Sequence, residues 1–198
     1  PLGGSTSFIY EDVSGNEVNT KSITGVLCFF RKVGALYGTT EVGSGVRPVL
    51  VTNDCVTAHR VYDSIGDLSE DELEKARIDG DKYRWNDLSY CQFGSAANGR
   101  GKRCTEKLHV GILQAGEAYP VVVKVSAASI GRMEKFVKLL SVPYWRAVVE
   151  LSLVKAEGSA NPYSMVKPRQ VDALNKQMGD IVLSMYTNPM IASCDSGN

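Results

Sequence analysis

What the sequence lacks first is a charge excess: 22 Lys and Arg stand against 22 Asp and Glu, for a formal net charge of zero. A neutral chain has no long-range field that steers it to nucleic acid or a membrane surface, so such binding requires local asymmetry. Long apolar runs are also missing, which excludes a membrane-spanning helix, and the start lacks the basic-then-apolar pattern of a secretory signal. A soluble, intracellular protein is expected. Histidine occurs only at His59 and His109, which narrows acid–base and metal chemistry. The five cysteines are odd in number and come without a secretory signal, so free thiols or a metal site are expected rather than a disulfide framework.

What is present suits a folded chain. The 198 residues are 43% hydrophobic, enough for one sizeable core. Pro1-Leu2-Gly3 resembles a protease-cleavage scar, so 1–4 are set aside, 191–198 read as a flexible tail, and 5–190 as one domain. Zero net charge hides a segregation: Asp63 to Asp87 is mainly acidic, whereas Arg100 to Arg169 is mainly basic, including Lys124, Arg132, Lys135, Lys138 and Arg146.

The patterning predicts strands over 22–32 and 46–52 with a Gly43-Ser44-Gly45 loop between them, and a hairpin of 107–115 and 119–126 split by Gly116. Ser69-Glu70-Asp71-Glu72 matches a capping box, predicting a short polar surface helix over 69–78 ended by Gly80, within an insertion at 60–104. Ile130, Met133, Phe136, Val137 and Leu140 recur at helical spacing, with Arg132, Lys135 and Lys138 outward, predicting an amphipathic helix over 129–140. A strand over 145–155 follows, then Pro162 and Pro168 as breakers, Pro168 also suiting the first turn of a last helix over 170–185, stopped near Asn188-Pro189. These elements predict an α+β, mainly β fold with a small barrel.

Chemistry concentrates between Cys91 and Cys104, where Gly94, Gly99 and Gly101 free the main chain and Arg100, Lys102 and Arg103 supply charge. A phosphate-binding P-loop ending at Gly101-Lys102 would need glycine at Ala96 and a hydroxyl at Arg103, so nucleotide hydrolysis is not expected. Cys55 and His59, spaced Cys-x3-His, could complete a zinc tetrahedron with Cys91 and Cys104, although Leu88 stands where a Cys-x2-Cys partner would be. No flanking signature supports a cysteine nucleophile at Cys91 or Cys104, and Asp79 with Asp81, or Asp63 with Asp67, read as solvated faces rather than magnesium ligands. No cofactor is required, structural zinc being the one candidate. The strongest signal is aromatics beside cations: Trp85, Tyr90 and Phe93 as stacking faces, Arg100, Lys102, Arg103 and Lys107 as phosphate contacts. Such a set serves a single strand better than a mononucleotide.

At these residues the chain resembles bacteriophage single-stranded DNA-binding, replication-associated proteins. The shared features are Phe29-Phe30-Arg31-Lys32 ending an early strand, Cys55, Cys91-x-Phe93-Gly94-Ser95, Gly99-x-Gly101-Lys102-x-Cys104, and Pro120-Val121-Val122-Val123 before Ser129 and a helix. The resemblance implies an oligonucleotide-binding (OB) barrel, not an enzyme, that coats single-stranded DNA in phage replication or recombination. It would act in the host cytoplasm, with replication or recombination proteins and further copies of itself as partners. Two other readings stand beside it: a phage-encoded interaction module acting through the acidic helix 69–78, and a metal-dependent nuclease.

Overall fold

The computed structural model describes residues 6–12, 14–40, 45–156 and 163–186. Strands β1 (Phe8–Glu11), β2 (Glu17–Thr20), β3 (Ser22–Tyr37), β4 (Pro48–Thr52) and β5 (Thr57–Arg60) lead to helix α1 (Glu70–Lys75). Strands β6 (Arg77–Asp79), β7 (Lys82–Arg84), β8 (Thr105–Leu113) and β9 (Val121–Val125) precede α2 (Ala127–Lys138). Strands β10 (Ala147–Lys155) and β11 (Ser164–Ala173) and helix α3 (Lys176–Tyr186) follow. The fold is α+β and mainly β, as the patterning predicts. The chain divides into two compact units, 1–30 with 109–198 (unit 1) and 31–108 (unit 2), and the insertion expected at 60–104 falls inside unit 2.

Unit 1 carries the strand order β11-β10-β3-β8-β9, with β1 and β2 as a separate antiparallel hairpin. β10 runs antiparallel to both β11 and β3. The predicted hairpin is present, β8 pairing with β9. β3 passes β8 so closely at Gly25 that a Cβ there would lie 2.2 Å from the Leu113 carbonyl oxygen, which leaves glycine as the residue that fits. Ile23, Leu27, Val110, Ile112, Val149 and Leu151 form the buried face. α2 lies against β11 and buries Met133, with Arg132, Lys135 and Lys138 outward as the periodicity predicts. The two ends of the order, β9 and β11, do not pair, and among the described residues the sheet is not closed into a barrel.

The last part of unit 1 differs from the expected helix over 170–185. Pro168 does not open a helix but sits within β11 opposite Leu151. Among the described residues β11 pairs only with β10, so it is an edge strand, where a residue without an N–H is tolerated. The helix begins after Asn175, whose Oδ1 accepts the Met178 N–H at 2.9 Å as an N-terminal cap. Arg146, counted in the basic segment, packs beneath Gly179 of α3 and donates its Nε hydrogen to the Leu174 carbonyl at 2.9 Å. Its role there is structural. Gly43-Ser44, Pro162, Asn188-Pro189, residues 1–4 and the tail 191–198 lie outside the described residues.

Unit 2 has the antiparallel order β3-β4-β5-β7-β6. Its helix α1 is shorter than the expected 69–78, because Arg77, Ile78 and Asp79 form β6 instead. Ser69 makes no side-chain cap hydrogen bond, so the capping box does not form. The Ser69 N–H that Glu72 would accept is donated to the Tyr90 hydroxyl at 2.8 Å, while the first-turn carboxylate of Glu70 is engaged by Arg60 at 2.8 Å and by Arg77 at 3.7 Å. α1 is also less of a surface element than its polarity suggests: Leu73 is fully buried and Ala76 nearly so, in one core with Leu36, Leu50, Tyr83 and Trp85. The glutamates of α1 are thus all paired, since Lys75 also pairs with Glu72 and Arg77 with Glu74.

Candidate nucleic-acid interface

The segment 91–104 forms a loop closed on itself. At its base Cys104 N–H donates to the Tyr90 carbonyl at 3.1 Å. Ser95 Oγ then donates to that carbonyl at 2.7 Å and accepts the Arg103 N–H at 2.9 Å. Further out, the Gly101 carbonyl accepts the Gly94 N–H at 2.7 Å, the Ala96 carbonyl accepts the Gly99 N–H at 2.8 Å, and Asn98 Oδ1 accepts the Arg100 N–H at 2.9 Å. Gly94, Gly99 and Gly101 sit at φ of 93°, 68° and 89°, conformations open to glycine at little cost. The amides of Gly94, Gly99, Arg100 and Arg103 are therefore engaged within the loop rather than turned toward a ligand. What the loop offers a ligand is side chains.

Those side chains separate into three kinds. Trp85, expected as a stacking platform, is buried with no exposed surface, and its Nε1 hydrogen is donated to Glu106 Oε1 at 3.1 Å. Its ring lies over Gly34, where a Cβ would come within 2.5 Å of Trp85 Cζ2, so it has no face for a base. Tyr90 is half-buried: its hydroxyl accepts the Ser69 N–H at 2.8 Å, and the Arg103 guanidinium lies 5.2 Å from its ring centroid. Arg103 is spent on that stack and on Asp67 Oδ1 at 2.7 Å. Lys102 pairs with Glu106 at 2.8 Å, a contact that holds its ammonium above the usual lysine range.

Three expected residues remain open. Phe93 is 82% exposed, and Arg100 and Lys107 are exposed with no ion pair among the described residues. Beside the loop lies a cavity of about 260 Å³ lined by Tyr37, Thr39, Thr40, Lys102, Arg103 and Thr105. The lining tyrosine and threonines escaped the sequence reading because hydroxyls at the end of a strand are commonplace. The Lys102–Glu106 pair escaped it as well, since an i,i+4 spacing joins side chains on a helix and these two lie on a loop and on β8. Asp67, thirty-six positions before Arg103, was not legible either.

The cysteines hold the loop from beneath. Cys55, Cys91 and Cys104 lie in the core of unit 2, where the Cys91 and Cys104 thiols share a hydrogen bond that, with burial, holds the Cys91 proton far above the ordinary range. Cys55 adopts a left-handed φ of 55° in the β4–β5 turn, stabilised by its N–H donating to Thr52 Oγ1 at 3.0 Å. His59, the proposed fourth ligand, is exposed on β5, and among the described residues no group of three His, Cys, Asp or Glu side chains is arranged to hold a metal. The donor set does not fit zinc. Burial raises Cys55 to about 11, and Cys28 in unit 1 to about 12, from 9.0.

Those shifts give a pH dependence. The folded protein retains thiol protons that the unfolded chain releases, so this contribution to stability is intact below pH 9.0 and is lost as pH rises toward 11 to 12. Alkylation of the native protein near neutral pH should therefore leave Cys28, Cys55, Cys91 and Cys104 unlabelled, and urea unfolding should expose all four together. Rapid labelling of any of them in the native state, read by mass spectrometry, would contradict this burial.

Comparison of the chain with protein-family models, with curated proteins and with solved structures found no match. Among the described residues no helix is long and apolar enough to cross a membrane.

Proposed function

We propose that this protein binds and coats single-stranded DNA without catalysing a reaction, as the phage replication and recombination proteins it resembles do in the host cytoplasm. The observation that carries the reading is Phe93, a large aromatic 82% exposed on a loop that also presents Arg100 and leads to Lys107. An exposed phenyl ring on a hydrogen-bonded loop has no packing role, whereas stacking on a base uses its open face and the cations meet the phosphates on either side. The OB-like reading of unit 1 draws support from its strand order. With β3, β8, β9, β10 and β11 taken as the first to fifth strands, the order 5-4-1-2-3 with a helix between third and fourth is that of an OB barrel opened at one seam. In that reading unit 2 is an elaborated connection between the first two strands, a position such folds use for nucleic acid.

The acidic-helix alternative is disfavoured because Glu70, Glu72 and Glu74 are already paired within the protein. The test of the main reading is Phe93→Ala. Removing an exposed ring should leave the unfolding transition unchanged and weaken oligo-dT binding by about 1–3 kcal/mol. Unaltered affinity would remove Phe93 from the interface. A second expectation concerns Glu106→Gln, which keeps an acceptor for the Trp85 N–H but releases Lys102. Tighter oligo-dT binding and a steeper salt dependence, by about 0.7 in the logarithmic slope, are expected from one added phosphate contact. Fluorescence titration at several salt concentrations reads both.

A further inference from the structure

The open seam of unit 1 contains a cavity of about 390 Å³, within the range of about 300–1,000 Å³ of small-ligand sites. It exists because β9 and β11 do not pair. The Val166 N–H on β11, which a neighbouring strand would otherwise engage, is donated to Ser129 Oγ of α2 at 3.0 Å. The apolar side chains of Val123, Leu153 and Val166 therefore face a gap rather than an opposing strand. Tyr10 and Tyr163 add aromatic walls, and the Tyr10 hydroxyl is held by donation to Gln114 Oε1 at 3.1 Å. Tyr163 is 42% exposed and so lies open to an incoming group.

We propose that this cavity receives one nucleobase of the bound strand, as a second subsite separate from the loop of unit 2. The inference rests on the single-stranded DNA reading. The charge around the cavity sets the chemistry: Lys124 is the sole charged side chain among its described lining residues. A neighbouring cavity of about 470 Å³, which shares Tyr10, Val121 and Val122, is bordered by Glu11, Asp12 and Glu117. Carboxylates on that side repel phosphate, so the backbone of an inserted nucleotide leaves by the Lys124 side. Ser126, whose hydroxyl is not used to cap α2, lines the cavity as a hydrogen-bonding group for a base edge. A planar ring with a polar rim and an anionic tether fits apolar walls, two tyrosines, a hydroxyl and one cation. An acyl chain would leave the hydroxyl and the ammonium without partners.

The experiment uses the full chain and iodouracil-substituted oligo-dT. Irradiation of the wild-type complex followed by mass spectrometry should place crosslinks on Tyr10 or Tyr163 in addition to Phe93. Val121→Trp, which fills the cavity from β9, should weaken oligo-dT binding about tenfold, the worth of one stacked base, while Phe93 crosslinking persists. Crosslinks confined to unit 2, together with unchanged affinity of a folded Val121→Trp variant, would overturn the second subsite and leave the loop interface standing. If Val121→Trp does not fold, the wild-type crosslink positions alone decide. Absence of any oligo-dT binding by the wild type would instead sink the single-stranded DNA reading itself. Uptake of a hydrophobic dye by the cavity that oligo-dT does not displace would likewise overturn the subsite, in favour of an apolar ligand.

Discussion

Replacing Trp85 with alanine should cost about 3–5 kcal/mol of stability, the range for removing a large buried aromatic. The ring is fully buried among Leu36, Leu50, Tyr83 and Leu88 and lies against the bare backbone of Gly34, so no neighbour is positioned to fill the space. The loss extends beyond packing. Glu106 Oε1 accepts both the Trp85 N–H and the Lys102 ammonium, so the indole links the core of unit 2 to the basic loop. Without it Glu106 keeps only one of these partners. Chemical denaturation of Trp85→Ala should show the loss in full, and Trp85→Phe should recover most of it while leaving oligo-dT affinity close to wild type. A stacking platform would behave oppositely: alanine would spare stability and abolish binding. A stable Trp85→Ala protein with lost DNA affinity would therefore overturn the placement of this residue.

The second large effect is expected from Arg100→Glu combined with Lys107→Glu. Both side chains are exposed and, among the described residues, make no ion pair, so reversing them removes no stabilising contact of the fold. On the single-stranded DNA reading they are the principal phosphate contacts. Each contact contributes about 0.7 to the logarithmic salt slope on a single strand, so the double variant should flatten that slope by about 1.4. Affinity at low salt should fall by more than tenfold, because two attractions become repulsions. The matching change at Lys102 and Arg103 should do less to binding and more to stability, since Glu106 and Asp67 already hold these cations. An unchanged salt slope in Arg100→Glu with Lys107→Glu would take these residues out of the interface.

Local periodicity carried most of what was legible in the sequence. The hairpin around Gly116, the outward cations of α2 and the strand at 147–155 all follow from alternation or helical spacing, which needs no distant partner. The misreadings have a common origin in tertiary context. Pro168 looks like a helix start until β11 is known to be an edge strand, and Ser69 looks like part of a capping box until its N–H is seen to go to the Tyr90 hydroxyl and Glu72 to Lys75. Trp85 and Phe93 are both aromatics near the same basic loop, yet one is buried and the other is 82% exposed. Nothing local separates them. The difference comes from Gly34 and Glu106, which lie far from Trp85 along the chain and meet it only in the folded unit. The basic loop itself was legible, but the spending of its amides on internal hydrogen bonds was not, because that depends on how the Gly101 and Tyr90 carbonyls turn inward.

The loop from Cys91 to Cys104 therefore reads as a hydrogen-bonded mount for exposed side chains, with several of its amides turned inward. The most direct measurement is a fluorescence titration of the full chain with oligo-dT at low and at near-physiological salt. Saturable binding that weakens steeply as salt rises, and that loses part of its strength in Phe93→Ala, is the expected result. Failure to bind oligo-dT even at low salt would contradict it.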